Sequence, residues 1–310
     1  MVKSVLVTGG CGFIASNFIN YFSERYHDYK IINLDKLDYC SNTCGINAEL
    51  VIGNISNTNL VQHLIHKYDF EVVFHFAAQS HVCNSFTDPI VFTQENALGT
   101  HSLLETFRCH KPSVEFIHFS TDEVYGENKT DEPFTETSIL NPTNPYSASK
   151  AAAEMIVNSY IESYHMNIKI IRCNNVYGPR QYPEKLIPKF IKLLDEDRKC
   201  TIHGTRSSHT KRAFIHVEDV ARATETVWLK GNIGDAYNIS SDYELTVMDV
   251  TQMIVRNRKN TTDYEQWIEY VEDRPFNDQR YYITDKKLRL LGWKPFKDIK
   301  DLELFISNSI

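Results

Sequence analysis

The 310-residue chain has no apolar run long enough to cross a bilayer and no excess of basic residues. A membrane span needs about 20 predominantly apolar residues in a row, and no stretch approaches that. Lys and Arg number 33 against 40 Asp and Glu, for a net charge of −7. Phosphate-backbone binding favours basic surfaces, so nucleic acid is not expected as the main partner. Internal repeats and low-complexity segments are missing too. The opening MVKSVLVTGG is broken by glycine too early to form a signal-peptide core, which points to a cytoplasmic protein. Nor is there a disulfide framework. The cysteines are odd in number and scattered, at Cys11, Cys40, Cys44, Cys83, Cys109, Cys173 and Cys200. Several lie in apolar runs, which suits reduced, buried thiols. Cys40 and Cys44 have a ligand-like spacing, but no second pair or His cluster completes a site, so no metal is expected.

What is present is the composition of an ordinary globular enzyme, with 42% hydrophobic and 24% charged residues. The first half alternates short apolar runs with helical patterns. Strands are expected at 4–8, 30–35, 49–52, 72–77, 115–120 and 168–172. Helices are expected at about 13–26, 57–68, 89–109 and 146–165. Nearly continuous apolar strands mark a parallel sheet buried on both faces. The alternation predicts a doubly wound α/β Rossmann sheet. After Arg172 the pattern loosens. A helix at about 185–197, a polar loop and a tail with DRPFNDQRY suggest a smaller C-terminal lobe that closes over the sheet's carboxyl edge. The expected division is 1–173 for the dinucleotide domain and 174–310 for the substrate lobe, with part of 211–233 returning to the first.

After the first strand comes TGGCGFIAS, with Gly9, Gly12 and Ala15 in a G-x-x-G-x-x-A pattern. Such a loop makes a tight turn, admits a pyrophosphate to the backbone and lets the helix pack on the sheet. The helix N-terminus then offers N–H groups to the phosphates. Asp35 closes the second strand, 23 residues beyond Gly12. A carboxylate there suits a ribose diol and repels a 2′-phosphate, so NAD is expected rather than NADP. Lys36, its neighbour, argues the other way. Further on, Tyr146 and Lys150 stand four apart in a strong helix pattern opened by Pro145, and so share a face. An ammonium beside a phenol favours phenolate, which can take a proton from a sugar hydroxyl while hydride leaves for a nicotinamide.

With these residues the chain resembles the extended short-chain dehydrogenase/reductases over nearly its whole length. Gly9 to Ile14, Ala77-Ala78-Gln79-Ser80, Asn96-x-x-Gly99-Thr100, Tyr146 with Lys150, and Asn174-Asn175-Val176-Tyr177-Gly178-Pro179 all match the family's pattern. The resemblance implies NAD contacts at Gly9, Gly12, Phe13, Ile14, Asp35, Ala77, Ser80, Asn96, Tyr146 and Lys150. It also implies a homodimer formed through the helices near 89–109 and 146–165.

Asp122 and Glu123 add something a plain dehydrogenase or 4-epimerase does not need. An elimination requires one group to remove a carbon-bound proton and another to protonate the leaving hydroxyl. Adjacent carboxylates repel, so their pKa values separate. Oxidation of a hexose at C4 makes the C5 proton acidic, water leaves from C5 and C6, and hydride returns to C6. Ser120 to Gly126 looks like the signature of nucleotide-sugar 4,6-dehydratases within the family. By that resemblance Glu123 is the C5 base, Asp122 the acid at C6, and Thr121 a partner of the C4 oxygen.

The resemblance likewise implies substrate contacts at Asn174, Lys185, Leu186, Arg212, Arg274 and Asn277. Arginine suits the diphosphate by its bidentate geometry. PEKLIPKF and RPFNDQRY look more like the plant UDP-glucose dehydratases of UDP-rhamnose synthesis, with dTDP-glucose as the second candidate. Asn54, Cys83 and Tyr243 depart from the family's usual residues, and the last helix looks short. A UDP-sugar 4-epimerase and a non-catalytic nucleotide sensor are the competing readings. The acid pair argues against the first, and the intact Thr-Tyr-Lys set against the second.

Overall fold

The computed structural model describes residues 3–204, 208–272 and 276–309. Six strands follow one another: β1 (Lys3–Thr8), β2 (Tyr29–Asp35), β3 (Glu49–Ile52), β4 (Phe70–His75), β5 (Glu115–Thr121) and β6 (Ile168–Cys173). All pair in parallel, in the spatial order β3-β2-β1-β4-β5-β6. A seventh parallel strand, Ala236–Ile239, lies outside β6. It was not expected from sequence, being four residues long with Asn238 in its middle.

Alternate residues of each strand serve opposite faces. Val5 and Val7 join Phe18, Phe22 and Phe74 in one core cluster, while Leu6 joins Leu34, Leu103 and Phe107 in the other. Each such fully buried side chain contributes about 1.5–3 kcal/mol. Helix Phe13–Ser23 and helix Val217–Lys230 cover the first face, and helices Thr58–Lys67, Gly99–His110 and Pro145–Tyr164 the second. The strand order reverses between β1 and β4. In a doubly wound sheet the crevice for a ligand opens there, beyond the strands' carboxyl ends.

The segment expected as one helix over 89–109 is built in three pieces. Pro89–Phe92 is helical, Thr93–Leu98 widens into a π turn, and Gly99–His110 resumes as α-helix. Beyond β6, helices Leu186–Asp195, Val247–Lys259 and Ile299–Asn308 enclose a third core around Phe190, Leu194, Ile254 and Leu302. A small sheet pairs Lys211–His216 with Asn175–Tyr177 and Glu244–Thr246. A second pairs Cys200–His203 with Ile268–Val271. Trp293, near the end of the chain, packs back into the first cluster. All seven cysteines are unpaired, and Cys11, Cys173 and Cys200 are buried. Among the described residues no helix is long and apolar enough to cross a membrane.

Candidate active site

A cleft of about 450 Å³ runs from the glycine turn after β1, past the carboxyl end of β5, to Arg212 and Phe276. Gly9 sits at φ +69°, and a Cβ there would lie 2.7 Å from the Cα of Ala77. Glycine is required on both counts. Gly10 is as tightly enclosed, since a Cβ would fall 2.2 Å from Asn33 Oδ1. Gly12 caps helix Phe13–Ser23 without a side-chain partner, so the helix's first N–H groups face the cleft end of the turn.

Asp35 ends β2 on the cleft wall. Its carboxylate accepts from the N–H of Cys11 at 2.9 Å, the N–H of Leu37 at 2.8 Å and the Ser41 hydroxyl at 3.3 Å. A carboxylate has about four acceptor positions, so roughly one remains for a ligand hydroxyl. Lys36 is paired with Asp38 at 3.1 Å and Glu95 at 3.2 Å. Its charge is thus already compensated by two carboxylates. Asn54 lies in the same wall, its amide 3.2 Å from Glu95.

Asn96 corrects an expectation. Its side chain does not line the cleft. It is fully buried in the π turn, where it accepts from the Gln79 N–H at 2.7 Å and donates to Gln79 O at 3.0 Å and Ser149 Oγ at 2.9 Å. It therefore shapes the loop after β4, which carries Ala77 and Ser80 into the cleft.

Helix Pro145–Tyr164 brings Tyr146 and Lys150 to the same wall. Asn144 caps it, accepting from the Ser147 N–H at 2.9 Å, while Ser147 Oγ accepts from the Asn144 N–H at 3.2 Å. Lys150 Nζ donates to the carbonyl of Phe119 at 2.7 Å. Burial pushes this ammonium down to about 8, against the opposing charge of Glu154. Tyr146 departs from the expected direction. Burial first, then the charge of Glu123, hold its phenol well above the usual value, and the Thr121 hydrogen bond opposes them only in part. The lysine that was expected to lower it is directed at a backbone carbonyl instead.

β5 ends in Ser120-Thr121 and runs directly into a single 3-10 turn, Asp122–Tyr125. That turn places both carboxylates in the cleft wall. Asp122 is 2% exposed, and accepts from Thr121 Oγ1 at 3.1 Å and from the Asn174 amide. Burial and then the Glu123 charge push it up to about 7. Glu123 opens on the cleft and accepts from Asn144 Nδ2 at 3.0 Å and from the Tyr281 hydroxyl at 3.3 Å. Burial raises it too, against Asn144 and Arg212. The two acids thus occupy unlike environments.

Lys185, Leu186, Arg212 and Asn277 line the far end. Arg212 donates to the carbonyls of Lys211, Asp278 and Gln279 and lies 4.3 Å over the Tyr281 ring. Of its five donors, about two remain for an anion. Lys185 Nζ donates to Ser80 O at 2.9 Å and bridges the two walls. Arg274 lies outside the described residues. Three residues of the site escaped sequence reading: Asn144, Asp278 and Tyr281. An Asn before Pro is a capping signal, so Asn144 was legible as a cap. Nothing in the spacing marks the other two. Among the described residues no cluster of His, Cys, Asp or Glu is arranged to hold a metal.

The cleft fits a dinucleotide on its own evidence. At Gly9 the turn packs directly on the Ala77 backbone, which keeps it thin beside the start of helix Phe13–Ser23. On its wall Ser120 Oγ and Asn174 Oδ1 are buried without protein partners, as expected where a polar ligand completes them.

The family model of GDP-mannose 4,6 dehydratase matches residues 6–303. The chain belongs to this family. Within the family's reach it is 46% identical over 304 residues to dTDP-D-glucose 4,6-dehydratase of Mus musculus, covering 94% of this chain and 84% of that protein. It is 47% identical over 300 residues to a trifunctional UDP-glucose 4,6-dehydratase/epimerase/reductase of Arabidopsis thaliana, covering 94% of this chain and 45% of the plant protein. Among solved structures, dTDP-glucose 4,6-dehydratase of Streptomyces venezuelae with NAD bound superposes with a TM-score of 0.91 at 32% identity, covering 98% and 95% of the two chains.

Proposed function

We propose that this chain is an NAD-dependent hydro-lyase that converts a nucleotide-activated glucose to its 4-keto-6-deoxy sugar. The observation that carries the reading is the pair Asp122 and Glu123, one closed and pushed up to about 7, the other open to the cleft beside Tyr146. A 4-epimerase has no task for them.

Gly9, Gly12, Phe13, Ile14, Asp35, Ala77, Ser80, Tyr146 and Lys150 would hold the cofactor. NAD, when bound, supplies the acceptance of hydride from C4 and its return to C6. Tyr146 would take the C4 hydroxyl proton as phenolate, which needs the positive charge of bound NAD⁺ to offset the burial and the Glu123 charge that hold its phenol up, and Thr121 Oγ1, turned from Asp122, would donate to the developing ketone oxygen. Lys150 lies in the same wall with its ammonium on the Phe119 carbonyl. Once C4 is a ketone, Glu123 takes the C5 proton. The electron pair left on C5 forms the C5–C6 double bond, and the C6–O bond breaks. Asp122, half-protonated near neutral pH, would give its proton to the departing hydroxyl, which leaves as water; return of hydride to C6 would leave an enolate, and Glu123 would give C5 a proton to complete the 4-keto-6-deoxy sugar. Arg212 and Lys185, with Leu186, Asn174 and Asn277, are placed to hold the diphosphate and nucleoside, and Arg274 joins them by resemblance alone.

The tail sequence favours UDP-glucose, while the 46% and 47% identities weigh dTDP- and UDP-named relatives alike, so the test carries both. We also propose a homodimer through helices Gly99–His110 and Pro145–Tyr164, where Met155 and Tyr164 are about half exposed, and a cytoplasmic location, in keeping with seven unpaired thiols. The experiment is direct. Purified protein with NAD⁺ and either UDP-glucose or dTDP-glucose yields a product lighter by one water, without net NADH. A product of unchanged mass and altered stereochemistry would make the enzyme an epimerase.

A further inference from the structure

Behind Glu123 lies a hydrogen-bonded chain that the reaction as described does not use. Tyr281 is 5% exposed and Asp278 is 1% exposed. The Tyr281 hydroxyl lies 2.6 Å from Asp278 Oδ2 and 3.3 Å from Glu123 Oε2. Thr143 Oγ1 donates to the same Asp278 oxygen, and the other, Oδ1, is buried without a partner. Arg212 holds the Asp278 carbonyl at 2.8 Å and stacks on the Tyr281 ring. The ring therefore has one orientation, and its hydroxyl has two carboxylates within reach.

A phenol carries one proton, so it cannot donate fully to both acids at once. Glu123, in the function proposed above, alternates between carboxylate and carboxylic acid. We propose that Tyr281, held by Asp278, is a positioning residue for Glu123. Its hydroxyl proton serves Glu123 while that group is unprotonated, and turns to Asp278 once Glu123 has taken the C5 proton. The protonated Glu123 then donates to the Tyr281 oxygen. No covalent bond of Tyr281 changes; only the direction of its O–H does. The base thus keeps one orientation in both of its states, which suits a group that must meet the C5 proton in line.

The test separates this role from a packing role through the acidic limb of the pH profile for water loss. That limb reports Glu123. The groups facing Glu123 are Asp122, Thr121, Asn144, Tyr146, Tyr281 and Asp278, with the cations Arg212 and Lys185 beyond. Tyr281→Phe leaves the ring under Arg212 and removes the donor to the carboxylate. Its limb moves to higher pH, and kcat falls about 10- to 100-fold with KM little changed, as for loss of one charge-assisted hydrogen bond. Asp278→Asn removes a repelling charge, so its limb moves to lower pH. Opposite displacements in the two variants support the inference. Limbs that do not move, or that move together, overturn it. Each variant is read against wild type with UDP-glucose or dTDP-glucose and NAD⁺. Absence of water loss from wild type removes the reaction itself, and this inference with it.

Discussion

Asp122→Asn should make the protein much less active and, above neutral pH, more stable. The carboxyl is almost fully buried, and its pKa stands at about 7 where an ordinary Asp has 3.8. The folded state therefore resists ionisation. Below pH 3.8 the group is protonated whether the chain is folded or not, and stability is unaffected. As pH rises from 3.8 through 7 the unfolded chain sheds the proton first, and stability falls by ~4 kcal/mol before levelling off. Asparagine has no charge to bury, and its carbonyl can keep the Asn174 bond. The expected result is a Tm for Asp122→Asn above wild type at pH 8, with the gap closing toward pH 4. Activity should drop about 10²- to 10⁴-fold, as for removal of a general acid. At pH 7 a carboxyl with pKa 7 is half-protonated, whereas an unperturbed Asp would be protonated about once in 1,600 molecules. Thermal unfolding by circular dichroism across pH 4–8 checks the stability claim. A variant no more stable than wild type at pH 8 would refute the reasoning, because it would mean the ionised carboxylate is not held at a cost.

Other perturbations address other parts of the site. Tyr146→Phe should lower C4 oxidation by about 10²- to 10⁴-fold with little change in substrate binding, measured by single-turnover absorbance of reduced cofactor. Glu123→Gln should retain C4 oxidation and stop water loss; unchanged dehydration in that variant removes Glu123 from its role. Gly9→Ala forces a Cβ against the Ala77 backbone at a positive φ; a loss of about 1–3 kcal/mol in stability and weakened NAD binding by calorimetry are expected. His75, hydrogen-bonded to Thr8 and Thr100, is pushed down to about 3 by burial. Its stability contribution is intact above pH 6.5 and is lost as pH falls toward 3, by ~5 kcal/mol, so His75→Gln should flatten that part of the acid unfolding curve.

Much of this was legible because it is written locally. Strands buried on both faces show as apolar runs, and the glycine turn, Tyr146 with Lys150, and Asp122-Glu123 each sit within a few residues of one another. The structure brings all of them to one cleft. What was not legible depends on contacts distant in sequence. Asn96 looked like a cofactor contact, but Gln79 and Ser149 satisfy its amide. Strand Ala236–Ile239 takes its place through pairing with β6, not through its own composition. The Tyr146 phenol responds to burial and to Glu123, and no four-residue spacing reports either. Asp278 and Tyr281 reach Glu123 only because the tail folds back beside the capped start of helix Pro145–Tyr164.

The central claim is an elimination driven by the acid pair, and isotope placement tests it most directly. The reaction is run in deuterium oxide with NAD⁺ and unlabelled UDP-glucose or dTDP-glucose. If Glu123 is the C5 base proposed above, it exchanges the C5 proton with solvent, whereas the hydrogen reaching C6 comes from C4. The account predicts a product lacking one water, with deuterium at C5 and none at C6. A product with unchanged mass, or dehydration with deuterium delivered to C6, would contradict it.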